Sequence, residues 1–117
     1  ELIEKKKKQK SLETSDIILQ FHQINFIATE GKFKELEQAL DEAYPEFFIT
    51  LRTAYPLIKK IEIRICCLEK IDLSPKDMEK YLSLSKSGVH MARARLAEKL
   101  LGKEAKAKDL DHYIKTI

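Results

Sequence analysis

Three histidines and two cysteines are the side chains best suited to acid–base, nucleophilic or metal chemistry, and their spacing supports none of these. His22, His90 and His112 are scattered along the chain. None has a second ligand at metal-binding spacing, and none stands in a triad-like order with a nucleophile and a carboxylate. Cys66 and Cys67 are adjacent. Neighbours on a helix project about 100° apart, a poor geometry for a mutual disulfide. We read both as reduced, small core residues of a cytosolic protein. With 3 Gly in the chain there is no glycine-rich phosphate loop. These patterns point away from an enzyme, a bound metal, a cofactor or a small-molecule substrate.

What remains is the chemistry of charge. The net charge of +3 hides an asymmetry: residues 1–51 carry 7 basic and 10 acidic side chains, residues 52–117 carry 15 and 9. A basic C-terminal half suits a polyanionic partner. Residues 1–10 (ELIEKKKKQK) form a charge run that reads as a solvated helix end or tail. The sharper alternative is a juxtamembrane segment touching anionic lipid. The chain begins with Glu, so we take it as part of a longer protein, which a sensor or a membrane tether would complete. Within it, no apolar run approaches the roughly 18 residues a membrane span needs. The localisation expected is cytoplasmic.

These side chains must be positioned by helices. The 117 residues are 44% hydrophobic and 35% charged, with 3 Gly and 3 Pro, and few stretches alternate as strands do. The expectation is an all-α fold. A first helix is predicted over 14–29, capped by Thr14 or Ser15, with Ile17, Phe21, Ile24 and Ala28 on one face and Gly31 as its breaker. Ile18, Phe26 and Ile27 widen its stripe beyond what a lone helix exposes, marking a candidate self-association surface. A second helix spans about 32–43 with Phe33, Leu36 and Leu40 inward. Pro45 suits the first turn of a third, ending near Ala54 before Tyr55-Pro56. A fourth covers about 58–71, with Ile58, Ile61, Ile65 and Leu68 as its buried stripe. Its β-branched content leaves a strand over Ile61–Ile65 as an alternative.

Residues 73–102 (LSPKDMEKYLSLSKSGVHMARARLAEKLLG) carry the strongest local signals. Ser74 is an N-cap, Pro75 fits N1, and Asp77 sits at N3. A short helix then runs to about Leu82. Ser83-Leu84 forms the turn, Ser85 caps a longer helix from Lys86 to Leu101, and Gly102 ends it. Two helices joined by three residues is helix-turn-helix spacing. On the longer helix Val89, Leu96 and Leu100 share one side with Ala92 nearby. Ser87, Met91 and Ala94 lie opposite, flanked by Lys86, His90 and Arg95. Such a slim, basic-edged face fits a major groove about 12 Å wide. A final helix is expected over about 107–116, presenting Leu110, Tyr113, Ile114 and Ile117.

The stretch LSPKDMEKYLSLSKSGVHMARARLAEKL resembles the C-terminal DNA-binding domain of LuxR/GerE-type regulators. In that family a Leu-Ser-x-Lys-Glu-Ile-Ala core precedes a Ser-x-x-(Thr/Ser)-Val turn and a basic helix ending Lys-Leu. The run from Gly88 to Leu100 tracks the recognition helix of a variant found in Bacteroidetes regulators. Tyr44-Pro45-Glu46-Phe47, Tyr55-Pro56, Glu62, Arg64 and Cys66 fall in register with it. The resemblance covers about 44–102 well and 12–43 loosely. It implies a four-helix helix-turn-helix domain over 44–117, preceded by a helical linker or dimerisation segment over 1–43. It implies base-edge contacts from His90, Met91 and Ala94. Lys86, Ser87 and Arg95 would hold phosphates or the groove edge, and Lys76 would reach the backbone. Arg93 lies about 40° from Val89, toward the buried side, and a structural pair with Glu62 is expected for it.

The chain also departs from that pattern. Ile58-Lys59-Lys60 replaces Leu-Thr-Pro, so the usual helix cap is lost. Glu79 replaces a small Ala, Glu69 an apolar residue, Ala94 a Tyr and Glu98 a base. Lost charge and contact area predict weaker DNA binding, or binding only as a dimer. The partners expected are double-stranded DNA and a second copy of the chain. The alternative is a helical interaction module with a degenerate helix-turn-helix, and a third reading is contact with RNA polymerase.

Overall fold

In a computed structural model, the described residues are 16–23 and 27–117. Among them the chain forms seven helices and no strand, as an all-α reading requires. They are α1 (Asp16–His22), α2 (Glu30–Ala43), α3 (Phe47–Ala54), α4 (Lys60–Lys70), α5 (Pro75–Leu82), α6 (Lys86–Leu101) and α7 (Ala107–Thr116). The basic run 1–10, the caps expected at Thr14 and Ser15, and the apolar Ile24 and Phe26 lie outside the described residues.

The N-terminal helices differ from expectation in their boundaries. α1 stops at His22 instead of continuing to 29. The Tyr81 hydroxyl, on α5, donates toward the carbonyls of Phe21 at 2.6 Å and Gln23 at 2.9 Å. It thus occupies acceptors that a helix end leaves open. Gly31 is not a breaker but part of the first turn of α2, because Thr29 caps that helix by accepting from the Lys32 N–H at 3.3 Å. Phe33, Leu36 and Leu40 are its buried face, as expected. Pro45 precedes α3 rather than opening it: the Tyr44 carbonyl accepts from the Phe47 N–H at 2.9 Å, and the helix begins there.

α4 is the central element, packed against α2, α5, α6 and α7. The strand alternative over Ile61–Ile65 gives way to helix. Partners on several sides bury a broad arc: Ile63, Ile65, Cys66, Cys67, Leu68 and Glu69. Ile61, expected inward, is instead 39% exposed. The lost cap before α4 is replaced from within, since the Glu62 carboxylate accepts from the Lys59 N–H at 2.9 Å.

One buried cluster runs from Ile17 and Phe21 through Leu40, Phe47, Leu68 and Leu96 to Ile114. Segments on both sides of the 43/44 boundary therefore share a core. Phe21 packs against Phe33 and Tyr81 with ring centroids 5.2 Å apart in each pair, which ties α1 to both α2 and α5. At the far end Lys70 holds the C-terminus of α7. Its ammonium donates to the carbonyls of Ile114, Lys115 and Ile117 at 3.3, 3.4 and 3.0 Å, and lies 4.2 Å from the Tyr44 ring centroid. A cation against the carbonyl end of a helix is favourable for the last-turn dipole as well. Among the described residues no helix is long and apolar enough to cross a membrane.

Candidate nucleic-acid interface

α5 and α6 form where their caps direct. The Ser74 hydroxyl accepts from the Asp77 N–H at 3.2 Å, with Pro75 at N1. α5 ends at Ser83, whose φ of 54° and ψ of 43° place it in the left-handed region. Ser85 then accepts from the Gly88 N–H at 3.0 Å to start α6. A Cβ on Gly88 would lie 3.2 Å from that same hydroxyl, so glycine lets the cap seat closely. α6 ends at Gly102, whose φ of 111° disfavours any residue with a side chain. The expected pair of helices joined by Ser83-Leu84-Ser85 is therefore present.

The faces of α6 are distributed as follows. Val89, Leu96 and Ala97 are buried, with Ala92 and Leu100 packed partly against them. Lys86, Ser87, His90 and Arg95 are exposed, and so is Met91 at 49%. Ala94 is partly buried, so its methyl is less open than a base-contact role asks. A cleft of about 580 Å³ between α5 and α6 brings together Lys76, Lys86, His90 and Arg93 with Pro75 and Glu79. Ser87, Met91, Ala94 and Arg95 do not line it. They share an arc of about 100° on the outer side of α6.

The expected Glu62–Arg93 pair is not formed. Arg93 instead donates from Nε to the Glu69 carboxylate at 2.5 Å, with a terminal nitrogen 3.5 Å from the Ala107 carbonyl. Glu62 accepts instead from the Lys59 N–H at 2.9 Å. Glu69 and Glu62 are seven residues apart, which on a helix is nearly the same face, about 10 Å further along. Arg93 reaches the later of the two.

Glu69 is 2% exposed. Burial is the main reason its carboxyl is pushed up to about 7. The Asp111 carboxyl on its side adds to the rise, and Arg93 opposes it. Asp111 is held below the usual carboxylate range, first by its interaction with Glu69 and then by Lys115. Lys115 lies 3.2 Å from Asp111 and 2.6 Å from Asp72. This carboxyl pair was not anticipated. The one visible signal was Glu69 itself, an acid where the resembling family has an apolar residue.

Several other basic residues of the C-terminal half are also committed internally. Arg64 lies over the Phe33 ring at 4.4 Å and meets Glu30 at 3.1 Å, and Lys60 meets Glu30 at 2.6 Å. Cys66 and Cys67 are fully buried, and burial pushes both thiols up, so neither is primed as a thiolate. Among the described residues no three His, Cys, Asp or Glu side chains are placed to hold a metal ion. Comparison with family models, with curated proteins and with solved structures returned no match.

Proposed function

We propose that this chain binds double-stranded DNA by laying α6 in the major groove, as the output part of a larger transcription regulator of the LuxR/GerE type. The observation that carries this reading is the α5–α6 cleft, where Lys76, Lys86 and His90 from two capped helices face one opening. Beside it, Ser87, Met91 and Arg95 are exposed on the outer side of α6. In this reading Lys76, Lys86 and Arg95 grip phosphates, and His90 and Met91 reach base edges. A two-fold dimer would read a palindromic site. The test is binding to genomic DNA fragments across a salt series. A steep salt slope with sequence preference is expected, and Lys86→Ala should reduce that slope by about one without changing the preferred site. Absence of binding at low salt overturns the reading.

A second reading, a helical interaction module, is favoured by a different observation. Ile27, Leu57 and Ile49 are 80%, 82% and 65% exposed. Sedimentation of the chain alone separates the two. A stable oligomer with no DNA affinity supports the module.

A further inference from the structure

The cleft between α5 and α6 continues past α6. A second recess of about 460 Å³ adjoins it, and Pro75 and Arg93 line both. Arg93 also fixes what stands on the far side. Its terminal nitrogen lies 3.5 Å from the carbonyl of Ala107, the first residue of α7. Lys108 follows directly and lines the second recess with Asp72, Ser74, Asp111 and Lys115. α7 turns its apolar side inward, where Leu110 and Ile114 are fully buried. Lys108, Asp111 and Lys115 lie on its other side, within an arc of about 60°.

Most charges around this recess are engaged with one another. Arg93 is held by Glu69. Lys115 meets Asp72 at 2.6 Å and Asp111 at 3.2 Å. Asp109, beside Lys108, accepts from the Lys106 N–H at 2.8 Å and closes the start of α7. Lys108 is exposed, and among the described residues no acid lies within ion-pair reach of it. Ser74 accepts from the Asp77 N–H and keeps its own hydroxyl hydrogen to donate. In the first cleft Lys76 and Lys86 also have no ion pair among the described residues, and Glu79 is the acid beside them. Uncommitted cations therefore follow one path, from Lys86 and Lys76 past Pro75 and Arg93 to Lys108. A line of separate cations suits the regular row of single charges along one nucleic-acid strand.

We propose that Lys108 is a further phosphate contact, so that one DNA strand crosses from the α5–α6 cleft over Arg93 to the start of α7. This rests on the DNA reading above and extends its footprint to a third helix. The contact positions α6 in the groove and reads no base.

The test uses the 117-residue chain and a random-sequence duplex, with affinity measured across a salt series. Lys108→Ala should lower the slope of log affinity against log salt by about 0.9, and weaken binding alike on every sequence. Lys34→Ala, at an exposed position on α2, should change neither. Lys108 has no ion pair to lose, so its removal should leave the melting temperature unchanged, and the change in slope then reports on the complex. A second readout locates the strand. Cys66 and Cys67 are fully buried, so an iron chelate that cuts nearby backbone can be attached at Lys108→Cys. It should cut the duplex, and the same group at Lys34→Cys should not. An unchanged slope for Lys108→Ala beside a reduced slope for Lys86→Ala overturns the α7 contact and leaves the DNA reading standing. An equal loss of slope from Lys34→Ala, or no cutting from position 108, overturns the contact as well. If the unaltered chain does not bind DNA at low salt, both fall.

Discussion

Two arginines on α6 stand two residues apart and do opposite things. Arg95 is exposed on the outer side of the helix. Arg93 is folded against α4 and α7, its Nε on a carboxyl group 2% exposed. Two residues on a helix turn a side chain through about 200°, which is the difference between solvent and core. The lesson is that basic composition overstates the charge available to a partner. Arg93, Arg64, Lys70 and Lys115 are engaged by carboxylates, rings or helix carbonyls of this same chain. The positive surface is set by the residues left outside that set, among them Lys76, Lys86 and Arg95.

Replacing each arginine in turn should separate the two faces most sharply. Arg93→Met strips the partner from a buried acid, and breaking a buried pair costs about 3–5 kcal/mol when the remaining charge has no other recourse. Glu69 has one, since it can hold a proton. The loss should therefore be about 3 kcal/mol at pH 8 and smaller at pH 6, read from urea denaturation. Arg95→Met should stay within about 0.5 kcal/mol, as exposed substitutions do, and under the proposed DNA reading it should weaken binding. Equal stability losses for the two variants would erase the contrast.

The pH dependence of stability sharpens the same contrast without any ligand. Glu69 titrates higher in the folded chain than the roughly 4.3 of an unfolded glutamate. Between those values the folded chain holds a proton that the unfolded chain has released. The stability this contributes is fully present below about pH 4 and is lost as pH climbs through 7. Asp111 works in the opposite sense, but in stronger acid, because its value is lowered. Between pH 5 and 8 the chain should lose on the order of 2 kcal/mol, seen as a falling melting temperature. Glu69→Gln should flatten that fall. A melting temperature that rises with pH in wild type would contradict the raised Glu69 carboxyl.

Legibility in the sequence followed the range of the interactions. Ser74, Pro75, Asp77, Ser85 and Gly102 act on backbone groups within about one turn, and they marked α5 and α6 to the residue. Gly31, expected as a breaker, instead sits in the first turn of α2, where Thr29 is the cap and a glycine costs little. The early end of α1 depends on Tyr81, some sixty residues on, and no local pattern contains it. Ile61 has the spacing of a buried stripe, yet α4 is covered on sides that periodicity does not specify. The partner of Arg93 shows the limit most clearly. Glu62 and Glu69 share a helix face, so angular position alone cannot separate them. The height of α6 along α4 decides, and that is a property of the packed core.

The smallest effect tests the caps on which the α6 reading depends. Ser85 and Ser87 are two residues apart, both exposed, with hydroxyls 3.3 Å from each other. Ser85 satisfies the Gly88 N–H, one of the amides a helix start leaves without a partner. Ser87 lies on the outer side and serves no cap. Ser85→Ala should therefore cost about 1 kcal/mol, and Ser87→Ala should cost about nothing or add slightly through alanine's helix propensity. DNA binding should order them the other way at temperatures where both are folded. In the DNA reading proposed above, Ser87→Ala removes a phosphate donor, whereas Ser85→Ala leaves the outer side of α6 intact. If Ser85→Ala lowers affinity more than Ser87→Ala at equal folded fraction, the contact surface lies at the turn rather than along the outer side of α6, and the assignment of Met91 and Arg95 to the groove fails with it.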